Sequence, residues 1–246
     1  MNQVAKTANK ILTESTKPTE QETIGGLKEA LTVGAKNSVG LVSKMDGFLK
    51  DEAIKILLPK QGQDVIDKLQ SSKAGQKIYD VSLKPIVNDL ITSLNRSAED
   101  AAQQATPIFI NAITSMSIQD AFSILMGSDT SATQYLRQKT FEQLVEAFAP
   151  KINVSLDKKL VGNESSNSLW NKFAKSYNDA AKSPINLVLG LKPIEDTNLS
   201  NYVTRRALEG LFMKVALEEK KIRENPVARV SELLKKVFGY AAQNKK

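Results

Sequence analysis

From Asn198 to Gly239 the chain reads NLSNYVTRRALEGLFMKVALEEKKIRENPVARVSELLKKVFG. Leu199, Tyr202, Val203, Leu208, Leu211, Phe212, Val215 and Ile222 recur at helical spacing, so one face is apolar while the other carries Lys and Glu. Asp196 or Thr197 stands where an N-cap belongs. Asn225-Pro226 stops the helix, because a proline ring disfavours the α conformation of the residue before it. A second helix is expected to run to Phe238, with Gly239 as its C′ stop. A helical hairpin of this length commits the C-terminal part of the chain to helix packing.

The rest of the sequence agrees. Aromatic residues make up only 6% of the 246 residues against 41% hydrophobic residues overall, so the core is built of Leu, Ile, Val and Ala. The chain has no histidine and no cysteine. That removes Ser-His-Asp and Cys-His catalysis, the usual zinc sites, disulfides and iron–sulfur ligation. The net charge is +7, yet only six of the 34 basic residues are arginine. Lysine suits a solvated surface, whereas arginine is the fork that phosphate and base edges select. The balance therefore points away from nucleic acid. No apolar run approaches the roughly 20 residues of a membrane span, and MNQVAKTANKILTES holds no signal-peptide core.

In chain order, residues 3–15 read as a short amphipathic helix through Val4, Ala8, Ile11 and Leu12, and 1–19 as an arm and linker. Thr19 and Glu22 have capping-box spacing. The helix after them carries Leu27, Leu31, Gly34, Ser38, Leu41 and Met45 on one stripe, and its small residues admit either a close helix or a ligand. Asp46-Gly47 predicts a turn. Ile54, Ile56, Leu57 and Leu58 form a short run that fits a buried extended segment. Residues 62–80 give one or two helical turns interrupted near Ala74-Gly75. A long helix follows from about Ser82 to Ala105 with Pro85 in its first turn, narrowing toward alanines between Ala98 and Ala105. Pro107 starts another. Ser117 and Asp120 have N-cap and N3 spacing for a short helix ending at Gly127. The next runs from about Asp129 to Phe148 and ends at Pro150, with a further piece from Lys151 to Leu160. GNESSNS is a surface loop. Trp170, Phe173 and Tyr177 make a core- or interface-facing stripe, and Ser183 to Asp196 a long connection. The expected fold is a single all-α, bundle-like domain over 20–240, ending in a long helix plus a short C-terminal one, with a Lys-rich tail at 241–246.

Chemistry could reside in polar residues located where the pattern expects burial. Asn95, Arg96 and Glu99 lie within one turn, with Arg96 and Glu99 spaced for a helical ion pair. Asp120 opens a short helix. Thr133, Gln134, Tyr135 and Arg137 cluster near the start of another. Glu218, Glu219, Arg223, Asn225 and Arg229 crowd the end of the long helix, and Arg223 follows Glu219 by four. These groups either fix how helices meet, as ion pairs and caps, or converge on an anionic ligand or partner carboxylate. Glu218 and Glu219 point about 100° apart on a helix and so do not share a face. No Walker loop, dinucleotide fingerprint or GxSxG elbow is present.

Four segments resemble a bacterial family, domain of unknown function 4197. They are GLKEALTVGAKNSV (Gly26–Val39), SLNRSAEDAA (Ser93–Ala102), PIFINAITSMSIQDAFSILMGSDTSATQYLRQKTFEQLVEAFAP (Pro107–Pro150) and YVTRRALEGLFMKVALEEKKIRENPVARVSELLKKVFG (Tyr202–Gly239). The resemblance implies a helical domain without assigned activity, placed behind a secretion or lipoprotein signal. Its polar signature falls on Asn95, Arg96, Glu99, Asp120, Thr133, Tyr135, Arg137, Thr140, Glu219, Arg223, Asn225 and Arg229. Gln119 stands where an acidic residue is common and Ser97 where alanine is.

The function expected from these observations is a non-enzymatic cell-envelope binding or interaction protein, holding a lipid or other amphiphile between helices or engaging an envelope protein. One alternative is a purely structural scaffold. Another is a carboxylate- or metal-dependent enzyme, which requires Glu99, Asp120 and Glu219 to meet. No cofactor and no metal are expected. The expected location is the periplasm or cell envelope if a signal was removed, with the cytoplasm as the alternative.

Overall fold

Helix α1 (Glu20–Val42) begins with the capping box in place: the Thr19 hydroxyl accepts from Glu22 N at 3.2 Å, and Glu22 Oε2 accepts from Thr19 N at 2.8 Å. The structure is a computed structural model that describes residues 17–182, 193–194 and 198–244. The helix expected over 3–15, the candidate caps Asp196 and Thr197, and most of the connection from Ser183 lie outside the described residues.

The order continues with α2 (Lys60–Gln70), α3 (Lys73–Ile78), a π-helical turn (Tyr79–Leu83), α4 (Lys84–Ala102), α5 (Ala105–Ser115), α6 (Ala121–Met126), α7 (Ser131–Leu156), α8 (Ser166–Ala181), α9 (Leu199–Glu224), a 3₁₀ turn (Pro226–Ala228) and α10 (Glu232–Asn244). The described residues form an all-α fold; their sole β feature is an isolated bridge between Val161 and Glu164. A long helix followed by a short one closes the chain, as expected. α9 begins at Leu199, with Asn198 Oδ1 accepting from Ser200 N at 3.0 Å.

The chain divides into two compact units. One comprises Met1–Ser38, Thr106–Glu142 and Leu211–Lys246; the other comprises Val39–Ala105 and Gln143–Gly210. In the first, Phe109, Phe141 and Phe212 bring α5, α7 and α9 together, with ring centroids 5.4 Å apart for Phe109–Phe212 and 6.0 Å for Phe141–Phe212. There α1 meets α10 at Gly26, where a Cβ would stand 2.8 Å from Val237 Cγ2. In the second unit Trp170, Phe173 and Tyr177 are all buried in this chain's own core, and Trp170 stacks on Phe173 at 5.5 Å.

Local signals predict several boundaries correctly and fail where burial competes with them. Asp46 does turn the chain, at φ 68°, and Gly47 cannot carry a Cβ because it would lie 2.5 Å from Val42 O. The turn ends the buried stripe of α1: Leu41 and Met45 are exposed, while Val42 and Phe48 take the interior. In the segment after it Ile54, Ile56 and Leu58 are buried and Leu57 faces out, the alternation of extended backbone. The break in 62–80 falls at Ser71-Ser72, where Ser72 caps α3 by accepting from Gly75 N at 3.0 Å.

Pro150 does not end its helix. α7 runs through it to Leu156, because Ile152, Ser155 and Leu156 are buried beyond it. Burying two large aliphatic side chains gains about 1.5–3 kcal/mol each, which offsets the roughly 3 kcal/mol that an interior proline costs. Gly239 likewise lies inside α10 rather than after it. Ala241 beyond it is buried and Tyr240 packs edge-on to Phe122 at 6.2 Å, more than offsetting the roughly 1 kcal/mol glycine penalty. Ser117 is not a cap: Asp120 itself is the N-cap of α6, in left-handed backbone (φ 54°, ψ 45°) and without a side-chain capping bond.

Candidate functional site

In the Val39–Ala105/Gln143–Gly210 unit, Asn95, Arg96 and Glu99 on α4 come together as expected. Asn95 and Glu99 reach backbone groups outside the helix, and Arg96 reaches the Asp46 side chain. The Asn95 amide faces residue 56 like a neighbouring strand: Oδ1 accepts from Ile56 N at 2.9 Å and Nδ2 donates to Ile56 O at 2.8 Å. Glu99 Oε1 accepts from Phe48 N at 3.0 Å and Leu49 N at 3.1 Å, and Oε2 pairs with Arg96 Nη1 at 2.5 Å. Arg96 Nη2 reaches Asp46 Oδ1 at 2.6 Å, and Lys50 holds the other Asp46 oxygen at 2.7 Å. Hydrogen bonds from Lys50 and then Arg96 hold the Asp46 carboxyl below its usual range. Burial works against the Arg96 charge, but Asp46 and Glu99 outweigh it and raise its pKa. The cluster therefore pins the turn at Asp46-Gly47 and the extended segment at Ile56 onto one helix.

Sequence reasoning missed an adjoining cluster of hydroxyls. Ser93 and Ser97, one turn apart on α4, meet the Ser166 hydroxyl at 2.7 Å and 3.0 Å, and Ser97 also donates to Ser155 O at 3.1 Å. Ser155 donates to Asp100, which Lys158 also pairs at 2.6 Å. Burial raises the Asp100 pKa, but Lys158 and Ser155 outweigh it, so the net shift is downward. The i, i+4 serines on a predicted core face were the available signal.

The other unit holds Thr133, Glu219, Arg223, Asn225 and Arg229. Buried Glu219 reaches the first turn of α7, accepting from Ala132 N at 3.0 Å, Thr133 N at 2.7 Å and the Thr133 hydroxyl at 2.6 Å. It satisfies N–H groups that a helix start leaves open and places negative charge at the positive end of the dipole. Arg223 pairs with Glu219 at 2.7 Å and donates to Leu125 O at 2.6 Å and Ile124 O at 3.2 Å, carbonyls at the end of α6. Arg229 folds back on α9, donating to Ile222 O at 3.0 Å and Arg223 O at 2.8 Å. Burial lowers the Arg229 pKa. Asn225 Oδ1 accepts from Val227 N at 3.0 Å. Glu219 and Arg223 thus act as helix caps supplied from distant parts of the chain, while Asn225 and Arg229 close the turn that follows α9.

Four candidates stand apart from that network. The Tyr135 hydroxyl donates to Ser117 O at 3.1 Å. Arg137 lies over the Phe141 ring at 4.9 Å. Asp120 is exposed at its left-handed turn. Thr140 bonds within its helix, to Leu136 O at 2.7 Å. Among the described residues no group of three or more Asp or Glu comes together in a way that could hold a metal ion.

The small-residue stripe of α1 is filled by the chain itself. A Cβ on Gly34 would already be 3.4 Å from Val215 Cγ1 and 3.5 Å from Glu218 Cβ. A cavity beside Arg223 and Phe238 measures about 90 Å³, well below the roughly 300–1,000 Å³ of small-molecule sites. No described helix is long and apolar enough to cross a membrane.

No curated protein and no solved structure matches the chain. A family model described as "Protein of unknown function (DUF4197)" matches residues 17–239, and the chain belongs to that family.

Proposed function

We propose that the protein is a non-enzymatic interaction protein of the cell envelope, a helical scaffold that presents the loop after α9 to a protein partner. One observation carries the reading. In that loop Val227 is 87% exposed and Val230 69% exposed, although Arg229 between them is buried and bonded to two carbonyls at the end of α9. A buried guanidinium spent on holding a loop fixes the two valines before any partner arrives, which lowers the ordering cost of association. The family resemblance supports the envelope part of this reading, on the condition that a signal segment was removed.

A photo-crosslinking side chain at position 227, in cells of the native host, should give one discrete protein adduct in the envelope fraction. Val230→Asp should abolish the adduct without lowering Tm. An adduct that persists in Val230→Asp, or a uniform smear, refutes the loop as the contact.

The purely structural reading is favoured by a separate observation: Asn95, Glu99, Glu219, Arg223 and Arg229 all bond backbone groups. On that reading, substitution of Arg96 or Arg223 lowers Tm in proportion to any loss of function. A lipid held between helices has less support, since the space beside Gly34 is occupied.

A further inference from the structure

An open groove of about 400 Å³ lies within the Val39–Ala105/Gln143–Gly210 unit, where the first turn of α2 meets the first turn of α9. Lys60, Gln61, Asp64, Trp170, Asn198 and Tyr202 line it. We propose that this groove binds a neutral saccharide of one or two rings.

The floor is apolar and rigid. Trp170 is buried and stacked on Phe173. Gly62 lets α2 lie directly against it, since a Cβ there would be 3.2 Å from Trp170 Cζ3. The half-buried Tyr202 ring is fixed before binding, because its hydroxyl lies 3.0 Å from Leu57 O and 3.1 Å from Leu58 O. A fixed aromatic wall contacts the apolar C–H face of a sugar without losing rotamer entropy on binding.

The rim selects the class of ligand. Gln61 offers an amide and Asp64 a carboxylate, which together donate to and accept from hydroxyl groups. Pro59 at the N-cap gives α2 no side-chain capping bond, so helix geometry leaves N–H groups of its first turn without partners inside the helix. Lys60 and Asp64 pair at 3.0 Å across the same turn, so the two formal charges on the lining cancel. A cancelled pair gives an ion no net attraction, whereas the hydroxyls of a polyol can bond to an amide and to a carboxylate alike. The volume lies within the range of small-molecule sites.

This inference rests on the protein being a binder, but not on the Val227 loop. The test uses Trp170, the one tryptophan of the chain, as a reporter built into the floor. The full-length protein is titrated with cellobiose, maltose, chitobiose and N-acetylglucosamine, and with inorganic phosphate. At least one saccharide should shift Trp170 emission saturably, with Kd on the order of 1 mM or tighter. Gln61→Ala and Asp64→Ala, both at exposed positions, should each weaken that binding about tenfold, the worth of one hydrogen bond, with Tm unchanged. Saturation by phosphate alone, no saturable response to any saccharide, or a response that neither variant weakens would overturn the proposal. Val230→Asp should keep the saccharide response, so failure here leaves the loop reading standing, and failure of the loop leaves this one.

Discussion

Glu219 Oε2 accepts hydrogen bonds from both the N–H and the hydroxyl of Thr133, a residue 86 positions earlier in the chain. The carboxylate thereby caps a helix to which it does not belong. Arg223, one turn on, occupies its other oxygen and also closes the end of α6. One face of α9 thus holds the start of one helix and the end of another.

Removing either partner should therefore be severe. Glu219→Ala leaves a buried guanidinium and two backbone N–H groups without their acceptor, and Arg223→Ala leaves the carboxylate without its cation. Each should cost about 3–5 kcal/mol, the usual penalty for breaking a buried pair. The double variant should cost clearly less than the sum. Urea unfolding of the four proteins measures the cycle; strict additivity would show that the pair is not coupled.

Asn95 makes a comparable demand without charge. Asn95→Ala strands the N–H and C=O of Ile56 in the interior, at about 2–5 kcal/mol for the two groups together. Asn95→Asp keeps the acceptor for Ile56 N but sets a carboxylate against Ile56 O. It should be at least as destabilising as alanine at neutral pH. Thermal melts of both variants decide this, and a milder Asn95→Asp would contradict the assigned hydrogen bonds.

What was legible in the sequence divides along the range of the interactions. The Thr19–Glu22 capping box, the Asn225-Pro226 stop and the Trp170, Phe173, Tyr177 stripe depend on neighbours within two turns, and pattern reading found them. The pairs Arg96–Glu99 and Glu219–Arg223 were visible for the same reason, at i, i+3 and i, i+4. Their remaining partners were not. Glu99 serves Phe48 and Leu49 about 50 positions away, and no spacing rule links a carboxylate to a backbone N–H at that distance. Pro150 and Gly239 misled for the complementary reason. Their local penalties are real, but small beside the burial of Ile152, Leu156 and Ala241 that continuing the helix secures.

The Asp46 pair links stability to acid. Its folded-state pKa lies below the ordinary 3.8 because Lys50 and Arg96 favour the charged form. A depressed carboxyl contributes stability that is present above the unfolded pKa and lost as pH falls through the folded one. Asp100 shifts the same way. Tm should therefore hold from neutral pH down to about 4 and fall below it. Asp46→Asn should lower Tm at pH 7 and flatten that acid limb. An unchanged limb would show that Asp46 is not the group being titrated.

Two glycines on α1 should respond to alanine in opposite directions. At Gly26 the added methyl would lie 2.8–3.0 Å from three atoms of Val237, whose branched side chain offers no flexible end to move away. Gly26→Ala should destabilise by about 1–3 kcal/mol through overpacking, and Val237→Ala in the same protein should recover part of the loss by opening the contact. At Gly34 the nearest atoms, on Val215 and Glu218, stand at 3.4–3.5 Å, close to ordinary contact distance. Gly34→Ala should leave stability unchanged or raise it by up to about 1 kcal/mol, the helix-propensity gain of alanine. The pair of melts reads the packing directly. Equal destabilisation at both sites would place α9 closer to Gly34 than the structure has it, and stabilisation at both would mean that α10 does not press on Gly26.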